Sequence, residues 1–307
     1  MIYCTYPPAK KVAQHGAAIF VFRLAFQGNI PVVFAKGVTV RPIFRLLIAS
    51  GLLSAGVPLV ARTEAPVATT APARPEPAYD ALDCYATQQI NGWTILVNKR
   101  LLETKDPSLA QAVLRELEHQ LYQVERRVPG KVLPKLRTVK IWIELKDGDV
   151  VGGCYHPNVD WLKSHGFNPA KAKGVEFGNA RNFVDWSITQ PFMVLHEFAH
   201  AYHDQVLGYD YAPLKQAYRN AVASKRYEAV LHLNGHIERH YALNNDQEFF
   251  AEMSEAFFGT NDFYPFVRGE LKTYDPETYR TVAQAWGIDV PAEPPTTRPV
   301  QLKNASH

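Results

Sequence analysis

His196 and His200 stand four residues apart with Glu197 beside the first, in a run reading PFMVLHEFAHAYHDQ over residues 191–205. Positions four apart lie on one face of a helix. Two imidazoles on one face can each aim a ring nitrogen at a single metal ion. Glu197 then projects close enough to take a proton from a water beside that ion. This H-E-x-x-H spacing on a helix is the arrangement of a zinc hydrolase. So short a pattern also arises by chance, and its setting therefore matters. Pro191 suits a first helical turn and Thr189 a cap, which predicts a helix from that point. Leu195, Phe198, Ala199 and Tyr202 form an apolar side, while His196, His200, His203 and Asp204 gather on another.

A catalytic zinc takes three protein ligands and keeps one position open. The extended pattern with a glycine and a third histidine fails here, because His203 holds the glycine position and Val206 the histidine position. His203 sits too far along the axis to join His196 and His200, and reads as a neighbour or as part of the rim. Residues 244–258 place Glu248, Glu252 and Glu255 at helical spacing. That pattern fits a solvated acidic face or a set of donors. Phe249, Phe250, Met253 and Phe257 on the same helix send it into the core. His232, His236 and His240 recur at even spacing, which fits either a second metal site or a partly exposed polar face.

His196-Glu-Phe-Ala-His200, followed later by Glu248-Phe-Phe-Ala-Glu252, resembles the catalytic domain of the anthrax lethal factor family. These are gluzincin-type zinc endopeptidases, and the relatives are mostly toxin-like or secreted bacterial proteins. The resemblance implies a zincin-like fold and a Zn²⁺ held by His196, His200 and Glu248. It implies Glu197 as general base and a peptide or protein as substrate. It also implies that Tyr241, seven residues before Glu248, directs its hydroxyl at the oxygen on the zinc. Asn245 matches the family's N-x-x-E-F-F-A-E run, and Ala199 replaces a family glycine. The likeness spans roughly residues 185–260, and its motifs carry it. Residues 79–180 align with nothing in that family, so no substrate preference is carried over. Asp204 and Glu252, each one turn beyond a ligand, read as groups that orient the ligands or as surface carboxylates. Two other functions fit the same motifs: a catalytically silent zinc-containing binding domain, and a zinc hydrolase acting on a non-peptide amide or ester.

The elements that must position these residues read as an α+β domain, a small mixed sheet packed on the H-E-x-x-H helix with a helical lower half. Asn91-Gly92 between TQQI and WTILVN predicts a type I′ hairpin over residues 87–98. Asp106-Pro107 starts a helix whose stripe is Leu109, Val113, Leu117, Leu121, Val124 and Val128. Residues 138–145 alternate as a half-buried strand closed by Asp147-Gly148. Residues 174–178 read as a short strand, either an ordinary connection or the sheet edge that takes an extended substrate. Helices are expected over 213–227, 245–258 and from Asp275-Pro276 to near Gly287, with a hairpin around Asn234-Gly235.

The whole chain of 307 residues carries a formal charge of +3. Residues 1–60 hold six bases and no acid, so the remainder is mildly acidic, which gives no support for a nucleic-acid partner. Residues 1–60 read as a leader with a signal sequence at about 38–60, where RPIFRLLIASGLLSAGVPLV puts two arginines before an apolar run. A true start near Val38 is expected, with the preceding stretch an extension. The expected location is secreted or extracytoplasmic, with no stable membrane span in the mature chain, or membrane-anchored should the leader stay uncleaved. Residues 61–78 form an Ala/Pro-rich linker, 79–290 the metallopeptidase-like domain, and 291–307 a disordered tail. Of three cysteines, Cys4 falls in the leader, and Cys84 and Cys154 are either bridged or two unrelated core residues.

Overall fold

The computed structural model describes residues 79–146 and 150–291. The leader, the linker, the tail from residue 292 and the Asp147-Gly148 turn lie outside the described residues. Asn91 and Gly92 both take positive φ, 49° and 86°, as a type I′ turn requires. They join β1 (Tyr85–Ile90) to β2 (Trp93–Asn98) in antiparallel register. β3 (Ile141–Ile143), β4 (Gly153–Tyr155) and β5 (Val175–Phe177) complete a mixed sheet of order β1-β2-β3-β5-β4. The pairs β2–β3 and β3–β5 are parallel, and β4 runs antiparallel to β5 at the edge.

A parallel neighbour needs a crossover, and helix Pro107–Arg127 supplies the one between β2 and β3. Its stripe from Leu109 to Val124 is buried as the spacing requires, and Val128 follows it into the core. That core occupies one face of the sheet, where Ile95, Val97, Ile141, Ile143, Val175 and Phe177 meet Leu195 and Phe198 of the H-E-x-x-H helix. Trp93 stacks on Phe198 with ring centroids 5.6 Å apart.

Two strand expectations are corrected. Residues 138–145 do not form a half-buried strand: only Ile141–Ile143 is extended, and Trp142 and Glu144 on the second face are buried as well. The strand lies inside the sheet, and parallel strands are covered on both faces. Residues 175–177 are not an edge either, since β5 has β3 on one side and β4 on the other.

The lower half is helical, as expected. Helices Ala212–Ser224, Asp246–Phe258, Arg268–Tyr274 and Pro276–Ala285 enclose Trp286, which stacks on Tyr202 at 4.3 Å. Asp275 caps the last helix by accepting from Thr278 N at 3.1 Å. The short strands β6 (Val230–Leu231) and β7 (Ile237–Glu238) form the second hairpin. Cys84 carries a free thiol, so it makes no bridge to Cys154. Among the described residues, no helix is long and apolar enough to cross a membrane.

Candidate metal centre

The H-E-x-x-H helix runs Met193–Tyr202, two residues later than its predicted start. Thr189 does not cap it, because its hydroxyl donates to Trp186 O instead. The buried amide of Val194, in the first turn, donates to Gln120 Oε1 at 3.0 Å, from the long crossover helix. The cap is thus tertiary, from a residue far away in sequence. Helix Asp246–Phe258 crosses beside it, and its own cap fixes the third donor: Asn245 accepts from Glu248 N at 2.7 Å.

These two helices bring His196, His200 and Glu248 together. Glu248 Oε2 lies 3.1 Å from His196 Nε2 and 3.3 Å from His200 Nε2, and all three donor atoms fall within 4.8 Å of one another. Zinc bonds of about 2.0–2.2 Å in a tetrahedron put neighbouring donors roughly 3.4 Å apart. The two printed separations are near that edge length, and two imidazoles with a carboxylate are a donor set zinc accepts. The residues present therefore fit the metal: this is a largely buried His-His-Glu group that could hold an ion. Burial opposes charge on Glu248, but His200 and His196 overcome it and hold the carboxyl well below its usual range.

Glu197 lies beside the triad, buried, with Oε2 accepting from Tyr155 N of β4 at 2.8 Å. Burial pushes its carboxyl upward, partly offset by His200 and His196. The approach to β4 is very close: a Cβ at Gly153 would stand 2.6 Å from Glu197 Oε1. Only glycine leaves that room. Gly153→Ala is expected to shift Glu197 and lower any hydrolytic rate by about 10-fold or more while metal content stays near one ion per chain. Elemental analysis beside a rate assay checks this, and an unchanged rate would mean the carboxylate has slack.

Tyr241 opens a 3-10 turn, Tyr241–Asn244, started by His240, whose Nδ1 accepts from Ala242 N at 3.1 Å. Burial raises the Tyr241 phenol, and Glu248, Glu252 and Glu197 raise it further. Of the residues singled out for the site, His196, His200 and Glu248 converge, and Glu197 follows His196 on the same helix.

The flanking expectations fare less evenly. Glu248, Glu252 and Glu255 do not form a solvated acidic face, since all three are buried. Glu252 lies 3.6 Å from His196 Nδ1, while Glu255 Oε1 reaches that nitrogen at 2.7 Å. Asp204 is engaged elsewhere, accepting from the Tyr155 hydroxyl at 2.6 Å and pairing with Lys173. His203 is not on the rim. It begins a π-helical turn, His203–Leu207, is 1% exposed, and lies edge-on to Tyr209 and Phe250. Burial, with help from His200, lowers its pKa to about 4. His232, His236 and His240 do not converge. His236 is exposed, while His240 is buried and stacks on Phe263 at 4.8 Å. They form no metal group among the described residues.

Sequence reasoning does not find Gly153 and Gln120 as functional positions, and it names Glu255 only as one of three glutamates at helical spacing. Gly152-Gly153 ahead of an aromatic residue was the only hint of close backbone approach. No protein-family model, curated protein or solved structure matches the chain, so its site is defined by this geometry alone.

Proposed function

We propose that the chain is a secreted zinc-dependent endopeptidase of the lethal-factor-like, gluzincin type. One observation carries the reading: three donor atoms converge between two helices with the Glu197 carboxylate buried alongside. Zinc, when bound there, supplies Lewis acidity that polarises a carbonyl and lowers the pKa of water to about 7. Glu197 takes the water's proton at its carboxylate and returns it to the leaving amine. The Tyr241 hydroxyl donates to the oxygen that gains charge as the carbonyl becomes tetrahedral.

The substrate's place follows from the sheet. His156 N and Gly152 O bond toward the β5 side, so the backbone groups of Gly153 and Tyr155 point the other way. Tyr155 N donates to Glu197 on this outward side, which supports placing the substrate there. An extended peptide added along β4 would run past the carboxylate, with main-chain hydrogen bonds holding it. The edge is β4, in place of residues 174–178. Export rests on the leader's two arginines and the apolar run behind them.

The deciding experiment is the metal content of the purified chain and of Glu248→Ala. About one zinc per chain is expected, with most of it lost from the variant after dialysis against a weak chelator. Absence of zinc from the unaltered chain after reconstitution would sink the peptidase reading. Equal retention in both would mean that the third ligand lies elsewhere.

A further inference from the structure

One helix grips both nitrogens of one imidazole. Glu248 stands on the Nε2 side of His196 at 3.1 Å, and Glu255 stands on the Nδ1 side at 2.7 Å. The two glutamates are seven residues apart on helix Asp246–Phe258. Seven residues make two turns, about 10 Å along the axis, far enough to put one carboxylate on each side of a flat ring. Glu252, one turn from Glu248, lies between them but is drawn aside. Its Oε2 accepts from Asn261 Nδ2 at 3.1 Å and lies 3.8 Å from His240 Nδ1. Asn261, its hydrogen-bond partner, belongs to the segment that follows the helix. His196, Glu252 and Glu255 can be gathered as donors around Nδ1 too. A histidine whose Nε2 binds a metal keeps its proton on Nδ1, however, and that proton needs an acceptor.

We infer that Glu255, not Glu252, is the positioning residue of the metal centre, fixing the tautomer and ring orientation of His196 through Nδ1. Glu252 instead is held by Asn261, whose side-chain amide donates to its carboxylate and to its backbone carbonyl. The division rests on the metal-binding reading of His196, His200 and Glu248, and it falls on a residue outside the two, Asp204 and Glu252, that the sequence offered as orienting groups or surface carboxylates. Physically, a carboxylate at 2.7 Å holds the Nδ1 proton so that the Nε2 lone pair faces the donor group. It also makes the imidazole a stronger base toward a cation.

The test is zinc affinity of the full chain, measured by competition with a chelator of known strength, for the unaltered protein, Glu255→Asp, Glu255→Gln and Glu252→Gln. Cobalt-substituted samples give visible spectra alongside. Glu255→Gln keeps the shape and loses the charge, and should weaken zinc binding by about 10–100-fold. Its cobalt bands should shift or broaden as the ring loses its fixed angle. Glu255→Asp keeps the charge on a shorter arm and should fall between the two. Should Glu255→Gln not fold, Glu255→Asp decides alone, with a loss of about 3–10-fold expected. Glu252→Gln should stay within about 3-fold of the unaltered chain, because its carboxylate is not the acceptor of the ring proton. A purely structural role for Glu255 would lower thermal stability without moving the affinity or the spectrum of the folded protein. Unchanged affinity in the Glu255 variants, or a larger loss from Glu252→Gln, overturns the assignment. Failure of the unaltered chain to bind zinc is a different result and removes the metal centre itself.

Discussion

Glu197→Gln is expected to leave zinc content near that of the unaltered chain while peptide hydrolysis falls by about 10²–10⁴-fold. Glu197 is not one of the three converging donors, so the metal set is intact without its charge. Gln has the same shape, and its amide oxygen can still accept from Tyr155 N, which Glu197 meets at 2.8 Å. The pocket beside Gly153, which leaves no room for a Cβ, accommodates Gln as it does Glu. What disappears is a site for the proton. The position is suited to that task, since burial raises the carboxyl above its ordinary value and so makes it a stronger base. Elemental analysis and a peptide-library cleavage assay on the same preparation check both halves. An undiminished rate would remove Glu197 from the chemistry. A loss of zinc would show that it helps to hold the ion.

How far the sequence revealed this site depended on whether each signal was local. The type I′ turn at Asn91-Gly92 and the stripe of helix Pro107–Arg127 are set by neighbours within a turn or two, and both appear where expected. The cap at Asn245 is equally local, a bond across three residues at the start of a helix expected over 245–258. The edge of the sheet was not legible. Strands of three residues such as β4 and β5 carry almost no periodicity, and their neighbours are chosen by pairings across the chain. The start of the H-E-x-x-H helix was misplaced because its cap is Gln120, 74 residues away. The acidic face of residues 246–258 was ambiguous for a similar reason. Glutamates at helical spacing look alike whether they face water or imidazoles, and only the helix packed opposite decides. Family resemblance singled out Glu248 and Tyr241, while helical spacing offered Glu252 as an orienting group or a surface carboxylate; Glu255 stands closer to His196 Nδ1.

Lys171→Met is expected to destabilise the fold by about 3–5 kcal/mol near neutral pH. On the sheet face away from the metal centre, Lys171 Nζ lies 2.8 Å from Glu144 Oε1 and 2.6 Å from Glu176 Oε1, with all three side chains at most 3% exposed. Glu144 also accepts from the Tyr85 hydroxyl at 2.6 Å and from Asn98 at 2.7 Å, and Glu176 pairs with His156 at 2.7 Å. The network ties β3 and β5 to the segment that covers them. Replacing the ammonium with a thioether of similar length preserves volume but leaves two buried carboxylates facing each other. The pH dependence separates this cause from simple loss of packing. Burial alone would raise Glu176, but Lys171, with His156, overcomes it and holds the carboxyl at about 2, against 4.5 for the unperturbed group. A folded pKa below the unfolded one gives stability that is present above 4.5 and lost as pH falls toward 2. The unaltered chain should therefore weaken through that acid window. In Lys171→Met the depressing charge is gone, so the carboxylates take up protons more readily when folded, and acid relieves their repulsion. The gap between the two proteins should be widest near pH 7 and should shrink by more than half by about pH 4. Urea denaturation at both pH values measures it. A gap that stays constant with pH would assign the loss to packing, and a gap below about 1 kcal/mol at pH 7 would mean that the segment shifts to admit water to the carboxylates.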